Sequence, residues 1–144
     1  MEVLSTMGTR STISIENDDG TCTSVYCHWD GYLDHHGPIL LGAYDTAAKV
    51  RALLAPGDMS VLDWSPGERH DFDKRPEGQC NYYGRDRGEK GTEPKTYPTR
   101  DAIETMGYDY LFGRDGAWYV KRHEGAFVPL REAVDADAAE NAAE

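Results

Sequence analysis

At 144 residues, 39% hydrophobic and 10% aromatic, the chain is the size of one ordinary domain and carries enough apolar side chains for a real core. Its 26 acids against 15 bases leave a formal net charge of -11, which repels nucleic acid over most of a surface and favours basic partners, or serves solubility alone. No apolar run approaches the roughly 20 residues of a membrane span, and Cys22, Cys27 and Cys80 are an odd set without CxxC spacing, against a disulfide framework.

Residues 1–6 carry no structural signal and read as a flexible tail, with Met7 a second candidate start. The N-terminus lacks the basic-then-apolar pattern of a secretory leader, so the expected location is the cytoplasm. Ser11 to Ile15 alternates polar and apolar residues, placing Ile13 and Ile15 on one face of a strand. Asn17-Asp18-Asp19-Gly20 is turn chemistry, and Cys22 to His28 returns as the second strand of a hairpin. The stretch Val25 to Tyr32 then gathers Cys27, His28, Trp29 and Asp30 ahead of the turn at Gly31.

Beyond Gly31, a short helix is expected over Pro38 to Tyr44 with the proline at its first position. Asp45 is placed to cap a second helix, Thr46 to Leu54, in which Ala47, Val50, Leu53 and Leu54 recur at helical spacing. Val61 to Trp64 is a brief apolar return. Ser65 to Pro98 is rich in Gly, Pro and charge, with only Gln79 to Tyr83 strand-like; a loop of that length is functional or mobile. The bases and acids of residues 66–101 cancel, so the whole net charge lies outside that segment. Thr99 is expected to cap a helix reaching Met106. Tyr108 to Phe112, Ala117 to Arg122 and Ala126 to Leu130, separated by Gly-containing turns, form a meander. Residues 135–144 are an acidic tail, frayed helix or disordered. Together these elements predict a single α+β domain over residues 7–134. Its sheet is mainly antiparallel, built from the N-terminal hairpin and the C-terminal meander, with two or three short helices.

His28 and Asp30 are the candidate catalytic pair. Two residues apart, they can share a face, and a carboxylate on an imidazole nitrogen fixes the tautomer and raises basicity. As turn residues, Asp30 and Gly31 would leave His28 to a backbone partner instead. Trp29 faces the other way, as core or as a stacking platform, with Tyr32 beside it. Asp34, His35 and His36 lack HxH or HxxxH spacing and read as solvated loop residues; no metal or cofactor is expected. A thiol nucleophile based on Cys27 is disfavoured, because adjacent strand residues point apart and His28 would not reach it; Cys80 with His28 stays geometrically open, and buried, inert thiols are the expectation for both.

Tyr82-Tyr83-Gly84-Arg85-Asp86-Arg87-Gly88 is the second candidate stretch. Arg85 and Arg87 can fork onto phosphates while Tyr83 stacks on a base. The same arginines can equally pair with Asp86 and Glu89. There is no phosphate-loop, GxSxG or HExxH motif.

Met7-Gly-Thr-Arg-Ser-Thr-Ile13, the Asp19-Gly20 turn and Tyr26-Cys-His-Trp-Asp-Gly-Tyr32 resemble a group of short proteins of bacteriophages and of actinobacterial and proteobacterial genomes. These begin MGTRS and carry an HWDGY box. The likeness covers roughly Met7 to Leu54, with an echo at Tyr83-Gly84-Arg85-Asp86, and Leu33 stands where the group often has Pro. It implies a phage or mobile-element origin and transfers no catalytic residue.

The leading expectation is a non-enzymatic phage accessory protein that inhibits a host defence or nucleic-acid-handling complex by binding a basic protein surface. The second is a small-nucleotide-binding module or nucleotide-processing enzyme whose pocket joins His28, Trp29 and Asp30 to Tyr83, Arg85 and Arg87. That pocket requires the two stretches to lie within about 15 Å of each other. A third possibility is a structural component of the virion.

Overall fold

The hairpin read from the alternation is present in the computed structural model, which describes residues 9–123 and 125–142. The expected N-terminal tail and the alternative start at Met7 lie outside the described residues. Strands β1 (Ser11–Glu16) and β2 (Cys22–Cys27) pair antiparallel, with Ser11 opposite Cys27 and Glu16 opposite Cys22. The turn closes where the Asn17 N–H donates to the Thr21 carbonyl and Gly20 takes a φ of 89°, a conformation that glycine adopts without steric cost.

Two helices, α1 (Leu33–Ala43) and α2 (Ala47–Leu54), carry the chain over one face of the sheet and return it as β3 (Met59–Val61), parallel to β2. Parallel neighbours need such a crossover. β4 (Asn81–Tyr82) pairs with β3 and runs directly into α3 (Tyr83–Arg87). β5 (Lys95–Tyr97) takes the other half of the outer edge of β2. The meander follows as β6 (Tyr108–Phe112), β7 (Trp118–Arg122) and β8 (Val128–Pro129), and β8 runs into α4 (Leu130–Ala142). The sheet order is β4-β3-β2-β1-β6-β7-β8, with β5 beside β2. The domain is α+β and its sheet is mainly antiparallel, as expected, with two parallel joins, β2 with β3 and β1 with β6.

The sheet has an apolar and a polar face. Ile13, Ile15, Val25, Cys27, Tyr110 and Val120 point to the helices and form the main core with Leu40, Leu53 and Leu130. The alternate residues of β1 are buried too, but polar. Thr12 donates to Asp109 at 2.7 Å and the Ser14 hydroxyl to that of Ser24 at 2.8 Å. A small second cluster, Cys22, Ile103 and Leu111, lies on that side.

Several elements depart from the sequence reading. α1 begins five residues before Pro38, because Leu33, His36 and Gly37 are already buried; the proline sits inside the helix with its ring exposed. α2 is capped one residue later than expected. The Thr46 hydroxyl accepts the Lys49 N–H at 3.3 Å, and Asp45 pairs with the Lys49 ammonium at 3.1 Å. The helix expected from Thr99 to Met106 is absent, and only one 3-10 turn, Arg100–Ala102, forms there. Thr99 makes no side-chain cap, and the Met106 and Gly107 N–H groups donate instead to the Asp109 carboxylate, which holds the segment extended. Leu130 opens α4 rather than closing a strand, and Asp135, Asp137 and Glu140 continue that helix. Among the described residues no helix is long and apolar enough to cross a membrane.

Candidate functional site

β2 ends at Cys27, but its direction persists: the His28 N–H donates to the Met59 carbonyl and the Trp29 N–H to that of Ser60, both at 3.1 Å. Tyr26 and His28 therefore share the polar face, with the Tyr26 hydroxyl 2.6 Å from His28 Nδ1. Asp30 then adopts a φ of 61°, which reverses the chain and carries its carboxylate to the Tyr32 hydroxyl, 2.7 Å away. The expected His28–Asp30 pair does not form. The partner of His28 is a phenol, which lacks the charge that would stabilise an imidazolium, and burial and then the Arg10 charge depress the imidazole pKa. The Trp29 ring packs edge-on to His28 at 4.6 Å between centroids and is 37% exposed, so it belongs to the surface and not to the core.

The second stretch lies nearby. Cys27 pairs with Met59 and Met59 with Tyr82, so two strand spacings, about 10 Å, separate the end of β2 from the start of α3. Tyr83 follows the core-facing Tyr82 and lies on the polar side, stacked on Phe72 at 5.5 Å. Arg87 lies over both rings, 4.4 Å from Phe72 and 5.1 Å from Tyr83, and pairs with Glu89 at 2.6 Å.

Arg85 is engaged elsewhere. Its guanidinium holds both Asp86 oxygens, at 2.9 and 3.1 Å, and reaches the carbonyls of Pro66, Gly67 and Cys80. It also covers the Tyr82 ring at 4.4 Å. Burial acts against ionisation of Asp86, but Arg85 and the Tyr82 and His70 N–H groups hold its carboxyl below the usual range. This knot ties residues 66–70 to β4 and α3, and it consumes the phosphate fork expected of Arg85 with Arg87. Tyr83 and Arg87 stay on the surface; Arg85 is structural.

The thiols of Cys27 and Cys80 lie in the core. Burial pushes Cys27 up to about 12 and raises Cys80 as well. His28, on the opposite face from Cys27, is no base for that thiol. His36, expected in solvent, is fully buried: Nε2 is 3.0 Å from the Ser11 hydroxyl, Nδ1 is 3.0 Å from His35 Nδ1, and the ring rests on Tyr110. Among the described residues no three His, Cys, Asp or Glu side chains converge as a metal site.

Two hollows went unread in the sequence. An open one of about 440 Å³ lies between Tyr32, Asp34, Tyr108, Arg122 and Asp137. A narrower cleft of about 150 Å³ lies on the polar face beside Tyr26, lined by Asp58, Lys95, Tyr97, Glu104 and Met106. Its residues come from five separate segments, so no motif announces it. No family model, curated protein or solved structure matches this chain.

Proposed function

We propose that this chain is a non-enzymatic accessory protein of phage or mobile-element origin, acting in the host cytoplasm by occupying a basic surface of a defence or nucleic-acid-handling complex. One observation carries the reading: among the described residues only Asp86 and Asp109 are buried acids, so the acidic excess of the described residues is displayed almost entirely on the outside. A field of that sign attracts cationic surfaces and excludes nucleic acid itself. The inert thiols and the phenol-bonded His28 fit a binder better than a hydrolase or transferase. The test is affinity capture from host lysate at low and high salt. A nucleic-acid-handling complex retained at low salt and released at high salt supports the proposal; capture of no such complex, with unchanged phage growth on defended hosts after deletion, overturns it.

The small-nucleotide reading keeps one favourable observation, the approach of the His28 and Tyr83 stretches to about 10 Å on one face. It loses Arg85 as a phosphate ligand. Native mass spectrometry of the purified protein decides it: a co-purifying nucleotide lost in Tyr83→Ala and Arg87→Ala supports it, and a bare protein that takes up no added nucleotide ends it.

A further inference from the structure

The cleft beside Tyr26 places charges of both signs around one small space without letting them neutralise each other. Its floor is β2, through Ser24 and Tyr26, with Thr12 of β1 alongside. Asp58 stands at one wall, half-buried, and Glu104 is exposed at the rim. Lys95 enters from β5, opposite Ser24 in the pairing register. Lys95 makes no ion pair with either acid.

These walls are held by the backbone. The Asp58 N–H donates to the Thr92 carbonyl at 2.8 Å, and the Asp58 carbonyl accepts the Tyr83 N–H at 3.2 Å. Its Oδ1 accepts the Tyr26 N–H at 3.0 Å, which leaves Oδ2 available to the cleft. The opposite wall is anchored through Asp109, which binds both the Thr12 hydroxyl and the Met106 N–H. Burial raises the Asp58 pKa, and the Lys95 charge opposes that rise.

We propose that this cleft binds a small zwitterion, an ammonium–carboxylate compound of the size of a free amino acid. The ammonium would sit against Asp58 Oδ2 with Glu104 at the rim, the carboxylate against Lys95, and the carbon skeleton against Tyr26, Tyr97 and Met106. The volume of about 150 Å³ is that of a cavity that admits benzene, a guest of about six heavy atoms. With Asp58 and Lys95 on different walls, the cleft offers a partner to an ammonium and a separate one to a carboxylate, and neither a diamine nor a dicarboxylate uses both. A pre-positioned pair of opposite charges also avoids the ordering cost that a flexible site meets on binding.

The test titrates the full chain with L-alanine, with propionate and ethylamine as its two halves, followed by amide NMR. Saturable shifts at Tyr26, Lys95 and Met106 are expected with alanine, and at least tenfold weaker binding with either half. Lys95→Met, at an exposed position, should keep the dispersed spectrum of the folded protein and lose alanine binding at least tenfold. Asp58→Asn, which retains the acceptor for the Tyr26 N–H, should do the same. Absence of saturable shifts with alanine at tens of millimolar overturns the proposal. Wild-type affinity in folded Lys95→Met does so too, as does ethylamine binding as well as alanine, which would make the cleft a plain cation site.

Discussion

Gly37 of α1 lies so close to Val134 of α4 that a β-carbon at position 37 would overlap the valine Cγ2. The two helices meet through a missing side chain. In an ordinary helix interior, alanine is more favourable than glycine by about 1 kcal/mol. Here the sign reverses: Gly37→Ala should destabilise by about 1–3 kcal/mol, the usual cost of overpacking. Val134→Ala in the same chain should recover most of the loss. Urea denaturation of the two single variants and the double variant measures this, and a stabilised Gly37→Ala would contradict the packing.

His36 makes stability depend on pH. Burial, and then the neighbouring His35, lower its pKa from 6.5 to about 3. Between those values the unfolded chain takes up a proton that the folded chain does not. The contribution is complete above pH 6.5 and is lost as the pH falls, by up to about 1.4 kcal/mol per unit. Comparing urea midpoints at about pH 7 and about pH 5, the wild type should lose more stability on acidification than His36→Leu. Equal losses would mean that His36 is protonated in the folded protein.

Asp109, 1% exposed, accepts from the Thr12 hydroxyl and from the N–H groups of Met106 and Gly107. Asp109→Ala leaves three donors without their acceptor and should cost about 2–4 kcal/mol, since hydrogen bonds to a charged group contribute about 1.5–3 kcal/mol. Asp109→Asn, which retains one acceptor oxygen, should cost less. Thermal unfolding orders the two variants, and an unchanged midpoint in Asp109→Ala would remove the carboxylate from the fold's support.

Trp29→Ala should cost well under the ~3–5 kcal/mol of a core tryptophan, because the ring packs on His28 at the surface. His28→Ala should leave the fold nearly intact and, by uncovering the Tyr26 hydroxyl, lower the Tyr26 phenol pKa that burial raises. Ultraviolet titration and chemical denaturation of both variants separate the two effects.

The hairpin and the meander were legible because their information is local. Ile13 and Ile15 alternate with hydroxyl residues, and Gly20 and Gly116 stand where the backbone takes a positive φ. The parallel join of β1 with β6 was not legible, since no period in either strand says which edge the other will take. His36 was misplaced because the apolar stripe of α1 begins at Leu33, ahead of a proline that looked like a start. The helix after Thr99 failed against a competitor several residues away, the Asp109 carboxylate. For the candidate site, the sequence singles out Tyr83 and His28, and the apolar return it offers at Val61 starts two residues after β3, the strand that brings them together. The stretch Tyr82 to Gly88 allows Arg85 to pair with Asp86 as readily as to fork onto a phosphate. The Asp58–Lys95–Glu104 cleft had no local signature, because it exists only once β5 has docked on β2.

The sheet closes its own borders. β4 and β8 are two residues long and turn at once into helices, β8 contains Pro129, and β5 is three residues long. A neighbouring chain therefore finds almost no row of free amide and carbonyl groups to extend, which removes the common route to edge-to-edge aggregation. It also removes strand addition as a means of capturing a peptide. Under the proposed binding role, recognition is written in side chains, and a change of partner can evolve by surface substitution without disturbing the backbone ladder beneath.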